Sequence, residues 1–206
     1  MRIGIDFDNT IVCYDEVFCR AAVEKGWLEP VARARGKQEV RDTLRERGME
    51  EEWIHLQGYV YGAAMHYATP YPGLVSFLEE CCATGTPVCI VSHKTRHPFR
   101  GPNYDLHKSA WDWLVQRGFF DAAGIGLTKE SVFFELTKQE KIARIIRLGC
   151  THFIDDLPEF LSEPGWPEGL QRILFDPEDV HGIARDFPRL RSWAAAAAFL
   201  SPSKPK

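Results

Sequence analysis

Residues Met1–Thr10 read MRIGIDFDNT, an apolar run that ends in two aspartates separated by one residue. Arg2–Phe7 is short, β-branched and apolar, the pattern of a strand buried on both faces, and it carries Asp6, Asp8 and Thr10 at its carboxyl end. In open α/β sheets the ligand crevice lies outside the carboxyl ends of the strands, so two acids at this edge point to a site. A solvated turn would use the same residues, because aspartate also ends strands. The choice rests on what the rest of the chain brings to the same edge.

Downstream, Ile11–Gly26 has helical periodicity, with Val17, Ala21, Ala22 and Val23 near one face. Trp27–Lys37 is a basic connection containing proline, and Gln38–Arg47 and Glu51–Tyr67 are two further helices parted by Gly48. Pro70-Tyr71-Pro72-Gly73 breaks that run and opens a helix over Leu74–Ala83. Pro87–Val91 (PVCIV) is a second buried strand with Ser92 at its end, and a loop, His93–Tyr104, follows it. Leu106–Gln116 is helical, Ser131–Phe134 a third strand, and Lys138–Leu148 an amphipathic helix. His152–Ile154 is a fourth strand ending in Asp155-Asp156, and Ile173–Phe175 a fifth ending in Asp176-Pro177. The alanine run Ala194–Ala198 places a closing helix within Phe187–Leu200, and Ser201–Lys206 is expected to fray.

Strands alternating with helices predict a parallel, right-handed α/β sheet. Successive helices between the first two strands predict a discontinuous organisation: an α/β core of residues 1–17 and 71–206, with residues 18–70 as an inserted helical cap. An insertion directly after strand one emerges on the acid pair's side of the sheet. Trp53, His55, Gln57, Tyr59, Tyr61 and His66 in that insertion could line a pocket, although helical spacing serves packing equally.

With 206 residues the chain can bury a core without a metal or disulfide staple. A net charge of −4 gives no footprint for a nucleic-acid polymer or an anionic membrane. Met1 leads straight into a strand, and no apolar run reaches the length of a membrane span, so a soluble cytoplasmic protein is expected. The six cysteines lack CxxC or finger-like spacing and read as reduced packing residues. Oligomeric state leaves no mark on the sequence.

Four features now fall on one rim: Asp6 with Asp8, Ser92, Asp155 with Asp156, and a lysine on the helix before strand four. Clustered carboxylates with few neighbouring cations call for a hard divalent ion, and magnesium suits carboxylate, carbonyl and water ligands. Against phosphorus a metal-neutralised aspartate is a competent nucleophile, whereas a serine would need an added base. Asp6 is the candidate nucleophile. Asp8, two positions along and on the same side of the pleat, is the candidate acid and base. Ser92 and the lysine supply a hydrogen bond and positive charge to the transferring phosphoryl group.

These residues resemble the motifs of the haloacid dehalogenase superfamily of phosphohydrolases. DFDNT (Asp6–Thr10) is similar to its first motif, the strand ending at Ser92 to its second, the lysine to its third, and FIDD (Phe153–Asp156) to its fourth. The resemblance implies a Rossmann-like sheet in strand order 3-2-1-4-5, helices on both faces, and a small helical C1-type cap inserted after strand one. It also implies Mg2+ held by Asp6, Asp155 and the backbone carbonyl of Asp8, with Asp156 as a further ligand or a brace for the lysine. The lysine is Lys138 or Lys141, with Lys141 preferred as the nearer to Asp155. Asn9 stands where glycine is frequent in the first motif. The dehalogenase branch lacks the second aspartate, so Asp8 points to phosphoryl chemistry, and the FIDD ending and PYPG entry are loosely similar to the deoxyribonucleotidase branch.

The expected activity is Mg-dependent hydrolysis of a small phosphorylated metabolite through an aspartyl-phosphate. Thr10, His93, Lys94 and Arg96 are the candidate substrate contacts, with His97 and Arg100 in the same basic loop. The alternatives are a phosphotransferase or mutase of the same superfamily, a phospho-accepting signalling module, and a catalytically inert binding domain.

Overall fold

The computed structural model describes residues 1–29, 36–182 and 186–200, so the middle of the expected basic connection and the expected frayed end, Ser201–Lys206, lie outside the described residues. Contacts divide the chain into two compact units: residues 1–11, 70–93 and 118–206 form one, and residues 12–69 and 94–117 the other.

The first unit is built on a parallel sheet of β1 (Ile3–Ile5), β4 (Val88–His93), β5 (Val132–Glu135), β6 (His152–Asp155), β7 (Gln171–Phe175) and β8 (Arg189–Leu190). Its spatial order is β5-β4-β1-β6-β7-β8. The first five positions follow the expected 3-2-1-4-5 order, and β8 extends the edge through pairings of Leu174 with Arg189 and Phe175 with Leu190. The sequence reading gave no strand at Arg189–Leu190. The closing helix expected from Ala194–Ala198 is a 3₁₀ turn over Trp193–Ala195 leading into α8 (Ala196–Leu200).

Helices α4 (Leu74–Ala83), α6 (Lys138–Arg147) and α7 (Pro158–Leu161) complete this unit. On one side of the sheet Cys89, Val91, Phe153 and Leu174 pack with Ile142 and Ile145 of α6 and with Phe160 and Leu161 of α7. Trp193 stacks on Phe77 of α4 at 5.2 Å and on Phe175 at 5.3 Å between ring centroids. Its indole N–H donates to the carbonyl of Thr10 at 3.0 Å, anchoring the turn after β1 from the far end of the sequence.

Gly4 sits at the centre of β1, in register with Cys89 on one side and Phe153 on the other. A Cβ there would lie 2.6 Å from Cδ2 of Phe153 and 3.1 Å from Sγ of Cys150.

The second unit contains β2 (Val12–Cys13), α1 (Asp15–Glu24), α2 (Lys37–Glu46), α3 (Glu50–Tyr61), β3 (Thr69–Pro70, whose last residue belongs to the first unit) and α5 (Leu106–Gln116). Phe18 of α1 packs against Trp53 at 5.2 Å and Tyr61 at 5.7 Å. The carboxylate of Asp15 accepts from the N–H of Lys37 at 2.8 Å, capping α2, and only a residue without a Cβ fits at Gly36 beside it.

The sequence reading kept residues 94–117 with the sheet, whereas contacts group them with the inserted helices. The indole N–H of Trp113 donates to the carbonyl of Ala68 at 2.9 Å, Arg117 reaches the same oxygen at 2.7 Å, and Gly62 lies against Tyr104. These partners are far apart in sequence, so periodicity gave no sign of them. Among the described residues no helix is long and apolar enough to cross a membrane.

Gly4→Ala should lower the unfolding free energy by about 1–3 kcal/mol, the usual cost of overpacking a filled core. Urea denaturation followed by circular dichroism checks this, and an unchanged midpoint would contradict the packing described.

Candidate active site

The acid turn is set by three backbone ties. The N–H of Asp6 donates to the carbonyl of Ile154 at 2.9 Å, continuing the β1–β6 ladder past the end of β1. Ile11 N–H returns to the carbonyl of Phe7 at 3.1 Å, and the Thr10 carbonyl is held by Trp193. Asn9 adopts φ +57°, the left-handed region that asparagine enters more readily than most residues, which accounts for asparagine at a position where glycine would also serve. Phe7, between the acids, is buried and meets Phe134 edge-on at 5.6 Å.

Helix α6 delivers the lysine. Thr137 caps it by accepting from the N–H of Glu140 at 3.1 Å, while its hydroxyl donates to the Glu140 carboxylate at 2.9 Å. The buried face of α6 carries Lys141, Ile142 and Ile145. Lys141 Nζ lies 2.5 Å from Oδ1 of Asp6 and 2.6 Å from Oδ2 of Asp155, with all three side chains almost fully buried. The rings of Phe160 and Phe153 flank the ammonium at 4.1 and 5.2 Å. Asp155 also accepts from the N–H of Leu157 through Oδ1 at 2.9 Å. Lys138, the other candidate, instead pairs with Glu163 at 2.6 Å.

Burial drives the Asp6 carboxyl up to about 7; Lys141 opposes the rise, while Asp155 and Asp8 add to it. Burial also works against the charge on Lys141, but Asp155 and Asp6 outweigh it and hold the ammonium above its ordinary value. One buried cation therefore faces more negative charge than it can balance.

Oxygens of Asp6, Asp155 and Asp156 come within 4.8 Å of one another, a group of carboxylates able to hold a metal ion. The Asp8 side chain is not in that group. An all-oxygen donor set suits a hard cation such as magnesium. The Lys141 contacts leave this open, since each carboxylate oxygen carries a second lone pair.

Ser92 and His93 occupy the carboxyl end of β4, Ser92 buried and His93 exposed with Nε2 at 3.0 Å from the carbonyl of Leu136. Thr10 is fully buried, and its hydroxyl oxygen lacks a hydrogen-bond partner. Lys94 and Arg96 fall in the second unit. There Lys94 is buried with its ammonium 5.1 Å from the Tyr61 ring, and its carbonyl meets Nε2 of His107 at 2.7 Å. Arg96 pairs with Asp105 at 3.0 Å, Arg100 with Glu51 at 3.5 Å, and His97 Nδ1 lies 3.1 Å from the Tyr104 carbonyl.

Sequence reasoning missed the aromatic cup around Lys141, since Phe160 lies on a four-residue helix too short to show periodicity. It also passed over Asp176, which is buried at the end of β7 and accepts from Val180 N–H at 3.0 Å while pairing with Arg189 at 3.3 Å. The rule that singled out Asp6 and Asp155, an acid at the end of an apolar run, would have flagged it.

No family model matches the chain, and no curated protein does. Among solved structures, a HAD family hydrolase from Deinococcus radiodurans R1 with bound phosphate and sodium is 16% identical, with coverage of 98% of each chain and a TM-score of 0.57. A HAD-superfamily hydrolase from Ehrlichia chaffeensis is 12% identical over 96% of this chain and 94% of its own, with a TM-score of 0.54. A phosphoserine phosphohydrolase-like protein from Francisella tularensis is 13% identical over 97% and 99%, with a TM-score of 0.52. At these identities the likeness is one of fold: the chain has the mixed α/β architecture of haloacid dehalogenase-type hydrolases.

Removing the buried cation should expose the charge imbalance. Lys141→Met should lower the unfolding free energy of metal-free protein by about 3–5 kcal/mol at pH 8. A carboxyl raised above its unfolded value costs stability in full above the folded value; the cost shrinks as pH falls below that value and is gone below the unfolded one. The deficit of the variant should therefore shrink at pH 5, a comparison made by chemical denaturation at both values.

Proposed function

We propose that the protein is a magnesium-dependent phosphatase that hydrolyses a small phosphorylated metabolite through an aspartyl-phosphate on Asp6. The observation that carries this reading is the buried Lys141 ammonium bridging Asp6 and Asp155 at 2.5 and 2.6 Å, at the carboxyl end of a parallel sheet. The phosphatase-like names among the structural neighbours, and the phosphate bound to the Deinococcus hydrolase, agree with it.

In this scheme Asp6, Asp155, Asp156 and the carbonyl of Asp8 would hold Mg2+, which would supply charge neutralisation to the phosphoryl group. An oxygen of Asp6 attacks phosphorus, and the bond from phosphorus to the substrate oxygen breaks. Asp8 gives its proton to the departing alkoxide. It then removes a proton from water, whose oxygen attacks the same phosphorus and frees phosphate from Asp6. Lys141 fixes the orientation of Asp6 and adds positive charge, while the Ser92 hydroxyl donates to a phosphoryl oxygen. Thr10 and His93 contact the phosphoryl group or its surroundings.

Release of phosphate from p-nitrophenyl phosphate with Mg2+ should fall on the order of 10³-fold or more in Asp6→Asn, a loss expected of a nucleophile. Full activity in that variant would remove Asp6 from its role.

The raised Asp6 carboxyl sets a second test. A proton must leave it before it can serve metal or phosphorus, so Mg2+ affinity should climb as pH rises from 5 to about 7 and change little from there to 8. Calorimetric titration with MgCl2 across that range reads the effect directly, and an affinity independent of pH would contradict it.

A further inference from the structure

The amino-terminal end of the same sheet holds chemistry that the phosphatase reading does not use. Cys89 Sγ and Cys150 Sγ lie 3.5 Å apart, both buried, although 61 residues separate them in sequence. Cys89 stands on β4 and Cys150 just before β6, the two strands that flank β1. Their sulfurs meet because the residue between them is Gly4: any Cβ there would come to 3.1 Å from the Cys150 sulfur.

A cavity beside Cys89 opens towards solvent, and Cys150 lies behind Cys89 without lining it. A cavity of about 340 Å³ is lined by Cys89 together with Arg2, Cys81, Cys82, Thr86 and Leu148, among others. We infer that Cys89 and Cys150 form a site of reversible oxidation, closing to an intramolecular disulfide when a peroxide enters this cavity. The 3.5 Å between the sulfurs compares with about 2.05 Å in a disulfide bond.

The chemistry balances without a further reagent. The peroxide O–O bond breaks as one sulfur takes up oxygen to become a sulfenic acid, and the first water leaves. The second thiol then displaces that oxygen as a second water, so two S–H bonds are replaced by one S–S bond and two electrons pass to the peroxide. The contact between the sulfurs raises the Cys89 thiol, with burial adding to the rise, and lowers the Cys150 thiol from its ordinary value, with burial opposing and Arg2 assisting. By contrast, burial pushes Cys81 up to about 11, and Cys82 is its immediate helix neighbour.

The test is peptide mapping of the full chain after brief exposure to hydrogen peroxide, with alkylation of remaining thiols under denaturing conditions. Alkylatable cysteines should fall from six to about four, with a cross-linked peptide containing Cys89 and Cys150, a mass loss of about 2 Da and full reversal by dithiothreitol. Cys82→Ser should keep the cross-link, and Cys89→Ser should abolish it. Should Cys89→Ser fail to fold, the wild-type map alone carries the result. Retention of all six alkylatable thiols, or oxygen added at Cys82 without a cross-link, overturns the proposal. Because the readout is covalent and needs no substrate, its failure would leave the phosphatase reading untouched.

Discussion

The contact on which the rest of the site depends is that of one lysine ammonium with two buried carboxylates. Lys141 reaches Asp6 on one strand and Asp155 on the next, inside a region from which water is excluded by Phe153 and Phe160. In such surroundings charges act on one another far more strongly than in water, and a missing partner is costly. That constraint dictates the neighbouring structure. Helix α6 must start at a fixed place, which its Thr137–Glu140 cap secures, and must be pinned to the sheet, which Ile142 and Ile145 accomplish. The Asp155 carboxylate must hold its angle, and the Leu157 N–H supplies the second bond.

The same contact leaves the centre short of positive charge. Asp6 and Asp155 use Lys141 between them, and Asp156 adds its carboxylate to the same small volume. The resulting upward pressure on Asp6 is the expected response of a carboxyl that lacks a full counter-charge. A hard divalent cation would relieve it, which is why the metal requirement belongs with the proposed chemistry and is not an addition to it.

Much of the first unit was legible because buried parallel strands are short apolar runs, and four of the five expected strands end at an aspartate or a serine. Spacing favoured Lys141 over Lys138 by its nearness to Asp155 in sequence but did not decide between them. Both lie near the start of α6, and only packing shows that Lys141 faces the acids while Lys138 turns to Glu163. The two-residue strand Arg189–Leu190 was hidden because it carries too few residues to show a period. The basic loop shows a different limit. Read along the chain, Arg96 and Arg100 form an unbalanced cationic patch, but Asp105 and Glu51 answer them in the folded unit. Asp105 also caps α5 through the N–H of Lys108, so the residue that satisfies Arg96 has a structural duty of its own.

The pleat of β1 joins the two ends of the sheet. Gly4 and Asp6 point to the same side, as do Phe153 and Asp155 on β6, because alternate residues of a strand share a face. On that side Gly4 makes room for the Phe153 ring and the Cys150 sulfur, and two residues further on Asp6 meets Lys141. Phe153 touches both neighbourhoods: its Cδ2 lies where a Cβ at Gly4 would intrude, and its ring faces the Lys141 ammonium at 5.2 Å. A side chain at position 4 could not be accommodated without moving that ring, and the ring could not move without changing the wall behind the ammonium. The smallest residue of the central strand thus constrains both the thiol pair at one end and the acid centre at the other.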